Sequence, residues 1–562
     1  MTEEKKLTSL EGLKENSDYL RGRFKELLAD DSTHMPQEET QLLKFHGSYQ
    51  QDDRDQRKQL VKEKKEKAFS FMIRTRHSGG AVTPEQYLSF DKMAGELGNP
   101  TLRITTRQTF QFHGVFKKNL KELIRTVNEA ECTTSGTCGD IVRNVLADPA
   151  PFESRKKIKL QEYAKAVSDQ FLSQSGAYCD IWLDGEKMHL PVSEGDPEPI
   201  YGKTYLPRKF KIALTYSDIN SIDALTNDIG IVAEVNEAED LVGFNIFVGG
   251  GMGMSPSNPN TYPRLASALC FVPPEDLLEI TKAIVLVQKE FGNRSDRKVA
   301  RMKYLIDSKG LDWFRGEVEK QFGKKSEDAH PVDFKPIELY LGWNEEGDGK
   351  LFFGLSVENG RIKDDGDFRL KTALKGLVEK WKPQIYLTAQ QDIIFSGFNE
   401  ADKNEVEELF KSHGVQLPSE KSNVRKDSMA CPALPLCGLA LSESERALPG
   451  YIDQIETEIS KLGLEDERIM IRMTGCPNGC ARPYMAEIGF VGRGPTAYGL
   501  YLGGSIRGDR LNYLFKDRVP SDTIVSVVSS LLSFYKEDKN ANENFGDFCC
   551  RVGQERLNAI VE

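Results

Sequence analysis

The residues best equipped for chemistry are two pairs of cysteines. Cys431 and Cys437 lie in CPALPLC as a C-x5-C, and Cys476 and Cys480 lie in TGCPNGC as a C-x3-C. Four thiols in two tight pairs are what a thiolate-held centre requires, since the thiolate is the ligand form of cysteine. Pro432, Pro435 and Pro477, with Gly438, Gly475 and Gly479, interrupt regular structure around them. Backbone N–H groups freed in this way can point at sulfur and stabilise negative charge. Disulfides would need an oxidising compartment, which nothing in the sequence indicates. Structural zinc prefers C-x2-C or C-x4-C knuckles with charged flanks. The flanks here are small or apolar (SMACPALPLCGLAL), which suits a buried redox centre such as a [4Fe–4S] cluster. Spacing alone ranks the cluster first and leaves zinc and unligated thiols open.

The second signal is a set of cations in otherwise apolar segments. They are Arg74 and Arg76 in MIRTR, Arg103 and Arg107 in TLRITTRQ, Arg143 in DIVRNV, and Arg208, Lys209 and Lys211 in PRKFK. GNRSDRKVARMKY adds Arg294, Arg297, Lys298, Arg301 and Lys303. Any one alone reads as outward charge on an amphipathic strand. Together, in a chain of net charge −11, they call for a polyanionic ligand, because buried charges need partners.

At 562 residues the chain can build three or four domains with proper cores. Apolar content of 39% and charged content of 29% are ordinary for a water-soluble protein. Acidic balance argues against a general nucleic-acid binder. No apolar run approaches a membrane span, and MTEEKKLTSLEG has no secretory core, so a cytoplasmic location is expected. The other six cysteines (Cys132, Cys138, Cys179, Cys270, Cys549 and Cys550) follow no ligand spacing and read as reduced structural thiols.

The elements that must position these residues come in duplicate. FSFMIRTR alternates like a strand, a Gly-Gly turn and a helix (TPEQYLSFDKMAGELG) follow, and TLRITTRQTFQFHGV gives a second strand pattern. The helix NLKELIRTVNEAE completes a βαβ-like or ferredoxin-like module. Pro100–Gly114 aligns without gaps on Pro383–Gly397, and LFFGLSVENGRI matches the first strand and turn. Farther on, Ile229-Gly-Ile-Val corresponds to Ile488-Gly-Phe-Val, GFNIFVGGG to YGLYLGG, and KFKIALT (209–215) to IMIRMTG (469–475). The chain therefore reads as two homologous halves, with the cysteine pairs only in the second. The seam between them is the natural place for a large ligand. GGGMG (249–253) fails the dinucleotide fingerprint, because Met254 stands where its last glycine belongs, and no P-loop occurs, so NADPH is not expected to bind this chain.

C-x5-C followed by TGCPNGC resembles the siroheme-binding sulfite and nitrite reductases, and HGSYQQDDRDQR (46–57) resembles the N-terminal arm of their hemoproteins. The resemblance runs almost end to end. It implies an α+β fold of two homologous halves related by pseudo-two-fold symmetry, with ferredoxin-like half-domains and two larger α/β domains around a central siroheme. The expected boundaries are an arm (1–65), half-domain 1 (66–145), a siroheme-binding domain (146–340), half-domain 2 (341–422) and a cluster and siroheme domain (423–562). It implies that Cys431, Cys437, Cys476 and Cys480 hold a [4Fe–4S] cluster, with Cys480 also bridging to siroheme iron. Arg74, Arg143, Lys209 and Lys211 are then the catalytic cations around the substrate. Arg103, Arg107 and Gln111, with Arg297 and Lys298, are candidates for siroheme binding, whose eight carboxylates demand cations.

The implied reaction is the six-electron reduction of sulfite to sulfide for cysteine biosynthesis. Lys211 favours sulfite, since plant-type nitrite reductases tend to carry asparagine there. Ala147 departs from the cysteine that many sulfite reductases have after RNVL. The nearest branch, the assimilatory NADPH-dependent hemoproteins, implies a flavoprotein partner. A ferredoxin-dependent enzyme, an ammonia-forming nitrite reductase and a zinc-stabilised RNA- or protein-binding module are the alternatives.

Overall fold

A computed structural model describes residues 6–156, 159–178, 181–183, 186–188, 197–256 and 258–561. Cys179 lies outside the described residues. Twenty strands build four five-stranded sheets. In chain order the first ten are β1 (Ser48–Asp52), β2 (Phe69–Arg74), β3 (Ala81–Val82), β4 (Leu102–Ile104), β5 (Phe110–Val115), β6 (Leu146–Ala147), β7 (Ile212–Tyr216), β8 (Ile229–Val235), β9 (Leu241–Val248) and β10 (Ser267–Val272). The second ten are β11 (Gly342–Glu345), β12 (Leu351–Leu355), β13 (Arg361–Ile362), β14 (Gln384–Leu387), β15 (Ile393–Phe398), β16 (Met429–Ala430), β17 (Ile471–Thr474), β18 (Ile488–Gly494), β19 (Ala497–Leu502) and β20 (Tyr513–Pro520). Each strand of the first half has a twin ten numbers later.

The larger domains contain sheets ordered β6-β7-β8-β9-β10 and β16-β17-β18-β19-β20. In both, the first three strands run parallel and the last three antiparallel. Matched registers confirm the duplication and correct one detail. Ile212 pairs with Ile229 as Ile471 pairs with Ile488, so KFKIALT is the twin of Arg468–Thr474. The expected pairing of those segments was one residue out. Because neighbouring strand residues face opposite ways, that slip would have put Lys211 on the wrong side.

The ferredoxin-like sheets are ordered β1-β2-β5-β4-β13 and β11-β12-β15-β14-β3. Their outer strands are exchanged. β13 from the second half pairs with β4, and β3 from the first pairs with β14. Gly80 and Gly360 permit the exchange. Both have positive φ, and a Cβ on either would stand 2.3 Å from the Leu387 carbonyl or 2.2 Å from that of Ile104. The two sheets consequently share a single hydrophobic core, with Phe71, Phe110 and Phe112 in the same cluster as Phe353, Phe395 and Phe410. The larger domains each keep a core of their own.

Local signals explain the elements. Thr83 and Gln86 form a reciprocal capping box and Pro84 opens the helix Pro84–Leu97, which buries Tyr87, Phe90, Met93 and Ala94. TLRITTRQTFQFHGV is a hairpin rather than one strand, since Thr105 and Thr109 bond to each other through backbone and hydroxyl, and Gln108 takes a positive φ. Among the described residues no helix is long and apolar enough to cross a membrane.

One ion pair bolts the halves together. Asp223 and its twin Arg482 both adopt the left-handed conformation. Asp223 Oδ2 accepts from Arg482 Nε at 2.5 Å and from Arg472 Nη1 at 2.9 Å. Arg482 continues to the Ala389 carbonyl of the β14–β15 hairpin at 2.8 Å. Burial alone would raise the Asp223 carboxyl, but Arg472 and Arg482 outweigh it and hold the group below its ordinary range. Asp223→Ala leaves two buried guanidinium groups uncompensated. The expected cost is about 3–5 kcal/mol, read as a lower chemical-denaturation midpoint than wild type.

Candidate functional site

Cys431 follows β16 directly, and Cys476 follows β17 by two residues. The pairs thus leave the carboxyl ends of adjacent parallel strands, where open α/β sheets place their ligands. Cys431 Sγ accepts from Gly475 N at 3.4 Å, and Cys476 Sγ from Asn478 Nδ2 at 3.5 Å. Gly475 must be glycine, because a Cβ there would lie 2.6 Å from both Ala433 Cβ and the Ser442 carbonyl. Gly479 turns the chain with φ +64° so that Cys480 follows Cys476 closely.

The four thiols lie within electrostatic range of one another, though among the described residues they are not drawn together to metal-ligand spacing. Burial pushes the Cys431 thiol up, and Cys480, Cys476 and Cys437 push it further. Cys476 is raised to about 11 by burial, then by Cys480 and Cys437. Cys437 is likewise raised by burial, with Cys480 adding to it. Four mutually repelling sulfurs become thiolates only with positive charge among them, which iron supplies. Two thiols are buried, Cys437 is half-buried and Cys480 is exposed at the seam.

From Cys480 the site crosses to the first half. Thr106 of the β4–β5 hairpin donates to the Cys480 carbonyl at 3.0 Å, and Met254 N to the Pro477 carbonyl at 2.9 Å. Here lie Lys209 and Lys211, just before β7. Lys211 N donates to Asp228 at 2.9 Å, as Met470 N donates to the twin carboxylate Glu487. Arg143 N donates to the Phe210 carbonyl at 2.9 Å, which brings Arg143 alongside both lysines. Arg74, at the end of β2, points Nη1 at Cys138 Sγ (3.5 Å).

Arg143, Lys209 and Lys211 lie within electrostatic range of one another, and Arg74 approaches Arg143 around Tyr49 and Cys138. Burial lowers Lys209 well below the ordinary lysine range, with Arg208, Arg143 and Arg301 adding, while Cys480 pulls the other way. Lys211 is lowered by burial, then by Arg107, Lys209, Arg301 and Arg143. Neither ammonium has a hydrogen-bond or ion-pair partner among the described residues. Both are half-buried, Lys209 lining a cleft of about 120 Å³ and Lys211 lying close to it. Such a site fits a polyanion and a small anionic substrate.

The other candidates divide. Arg107 lies among the same cations, but its guanidinium donates to Asn227 Oδ1 and to the carbonyls of Asn144 and Ile212. Its Nε has no partner. Arg103 is committed elsewhere, to Glu445 at 3.0 Å and the Ala430 carbonyl at 2.9 Å, and Gln111 accepts from it at 3.5 Å. Arg297 forms a fork on buried Asp140. Lys298 is exposed on a cleft of about 120 Å³ that Arg208, Lys209, Arg301, Tyr304 and Asn478 also line.

Two residues, Tyr49 and Glu445, were not selected from sequence, and Arg301 was selected only as one of a set of cations. Arg301 binds Asp228 and the Gly250 carbonyl, so the glycine stretch is a carbonyl cradle for cations. Tyr49 packs with Arg143, Cys138 and Arg74. Glu445 receives Arg103 and Arg361 together and donates its N–H to the Cys431 carbonyl at 3.1 Å. It thereby ties the first cysteine to the exchanged β4–β13 edge. The sequence does not signal such a long-range pair.

Known proteins match this chain over nearly its whole length. The family model described as "Nitrite and sulphite reductase 4Fe-4S domain" matches residues 163–326, and "Nitrite/Sulfite reductase ferredoxin-like half domain" matches 62–130 and 344–413. The first match falls on the half without the cysteine quartet, whose twin carries it. A "Sulfite reductase [NADPH] hemoprotein beta-component" of Staphylococcus saprophyticus is 44% identical, over 98% of this chain and 96% of its own. A "Sulfite reductase [ferredoxin]" of Synechococcus elongatus is also 44% identical, over 99% and 91%. The solved structure of the Mycobacterium tuberculosis NirA protein superposes with a TM-score of 0.79 at 21% identity, covering 98% of this chain and 97% of that one, which shows a shared fold.

Glu445→Gln tests the tie to Cys431. Burial alone would raise this carboxyl, but Arg361 and Arg103 outweigh it and hold it below its ordinary range. A depressed folded pKa contributes stability above the unfolded value of about 4.3 and loses it as pH falls through the folded value. Glu445→Gln is expected to be less stable by about 1–3 kcal/mol at pH 7. The gap from wild type should close below pH ~4, as shown by paired thermal melts across pH.

Proposed function

The chain belongs to the nitrite and sulfite reductase family, and from that premise we propose that it is the hemoprotein component of an assimilatory sulfite reductase. The observation that carries this reading is the junction of two opposed charge arrays. Four mutually interacting thiols adjoin two lysines whose ammonium groups have no hydrogen-bond or ion-pair partner among the described residues, and Cys480 interacts with both sets. Cys431, Cys437, Cys476 and Cys480 would hold a [4Fe–4S] cluster, and siroheme would bind beside Cys480, on the side of Lys209. Bound there, these groups carry and deliver the electrons, which no side chain can.

The protein's own part is anion binding and proton supply. Arg74, Arg143, Lys209 and Lys211 attract sulfite and offset charge as oxygen departs. Burial, with the neighbouring cations adding, lowers both lysines, so each gives up a proton more readily than an ordinary lysine. An arriving anion reverses part of that shift, so binding takes up protons. The KM for sulfite is therefore expected to rise with pH as the ammonium groups deprotonate, which a pH series of initial rates would measure. Arg107, with an unpartnered Nε, and exposed Lys298 remain candidates for siroheme carboxylates. Arg103 and Gln111 act at one remove, by fixing the cysteine loop.

Electrons would come from an NADPH flavoprotein partner in the cytoplasm. A ferredoxin donor is the second reading, favoured by the ferredoxin-named relative at equal identity. Turnover of sulfite with each donor separates them. Activity with neither donor, or a colourless protein without iron and labile sulfide, would overturn the assignment.

Lys211 tests sulfite against nitrite. Sulfite has three oxygens to satisfy and nitrite has two. Lys211→Asn removes a charge and a proton donor but keeps a hydrogen-bonding group. Loss of a charge-assisted hydrogen bond costs about 1.5–3 kcal/mol, a roughly tenfold to hundredfold fall in kcat/KM for sulfite. Nitrite turnover, normalised to siroheme, is expected to fall less. An unchanged ratio would make Lys211 a neutraliser of siroheme carboxylates only.

A further inference from the structure

The segment HGSYQQDDRDQR holds more than Tyr49. After β1 the chain enters a helix (Arg54–Lys62) capped by Asp53, whose carboxylate accepts from Asp55 N and Gln56 N. The first helical residue, Arg54, lies against the loop of the first cysteine pair. Its backbone N–H donates to the Pro435 carbonyl at 3.2 Å. Its Nη1 donates to the carbonyls of Cys437 (3.2 Å), Gly438 (3.2 Å) and Ala440 (3.4 Å). One guanidinium thus gathers the carbonyls of the turn that presents Cys437.

The contact is fixed from both sides. Arg57 forks onto Asp52 at 2.6 and 2.5 Å, and Arg446, beyond the cysteine loop, reaches back to Asp55 at 2.7 Å. These pairs occupy the nearest carboxylates. No carboxylate among the described residues lies within ion-pair distance of Arg54 itself. A half-buried cation, with Asp52 in electrostatic range but no carboxylate in direct contact, therefore stands on the backbone of a ligand turn and acts on Cys437.

We propose that Arg54 is a positioning residue for the cluster: it fixes the Cys437 turn and makes the cluster easier to reduce. This rests on the reading of the four cysteines as cluster ligands. Reduction adds negative charge to a centre already held by four thiolates, and a fixed cation stabilises the reduced state more than the oxidised one. Carbonyls that bind the guanidinium keep that charge in place, and half-burial limits screening by salt.

The test uses the full chain, purified with its cofactors, as wild type, Arg54→Gln and Arg54→Lys. Iron and acid-labile sulfide per chain report loading, and an EPR-monitored redox titration reports the cluster potential. Arg54→Gln keeps a donor but removes the charge. It is expected to shift the one-electron equilibrium about tenfold against reduction, about 59 mV lower. Arg54→Lys keeps the charge and is expected to stay near the wild-type potential. Wild-type potential and full loading in Arg54→Gln would overturn the proposal. If Arg54→Gln cannot hold a cluster, a loaded Arg54→Lys at wild-type potential supports the charge role, and loss of the cluster in both overturns it. A wild-type protein without labile sulfide would instead sink the cofactor reading, so the two failures are distinguishable.

Discussion

Like charges crowded on both sides of one seam are the constraint on which this molecule depends. Cys431, Cys437, Cys476 and Cys480 repel one another as thiolates, and Lys209, Lys211, Arg143 and Arg107 repel one another as cations. Neither array is favourable alone, and each destabilises the fold that carries it. They are tolerable because rigid strands hold them and because they adjoin. Cys480 raises what the other cations lower in Lys209. The Asp223 bolt and the Glu445 fork are what keep the adjoining surfaces from drifting apart.

The doubled scaffold explains how one site arises from two similar halves. Asp228 and Glu487 are twins, and each accepts the N–H of the residue before β7 or its twin β17. In the first half that residue is Lys211, and Arg301 joins the carboxylate. In the second it is Met470, and burial raises Glu487 to about 7 with Gly546 N as its other donor. The same backbone device thus positions a cation on one side and an apolar side chain on the other. The halves diverged in side chains while the hydrogen-bond frame stayed constant.

Legibility from sequence followed the physics of each signal. The cysteine pairs stood out because cysteine is rare and its spacing is short. The repeat was visible because strands alternate and turns need glycine, as at Gly80 and Gly360. The grouping of Arg74, Arg143, Lys209 and Lys211 followed from the resemblance and not from periodicity, which gives no distances. The exchange of β3 and β13 was invisible, since two-residue strands have no period to read. The partner of Arg103 was hidden for a related reason. Its charge was legible, but its partner Glu445 is brought near only by that exchange. Arg54 lay in a segment whose polar density was noticed, yet the carbonyls it gathers are backbone atoms, which no sequence displays.

The exchanged strands also bear on how the chain is made. The first ferredoxin-like sheet ends on β13, which the ribosome delivers long after β5. At about 5–20 residues per second, the edge of β4 waits roughly 10–50 s for its neighbour. Through that interval the nascent sheet presents an unpaired edge, the feature that invites strand addition by other chains. Neither half can finish as a free-standing unit during synthesis, so maturation is gated by completion of the second half. Any cofactor held by residues of both halves would enter at the same late stage, when both exist to enclose it.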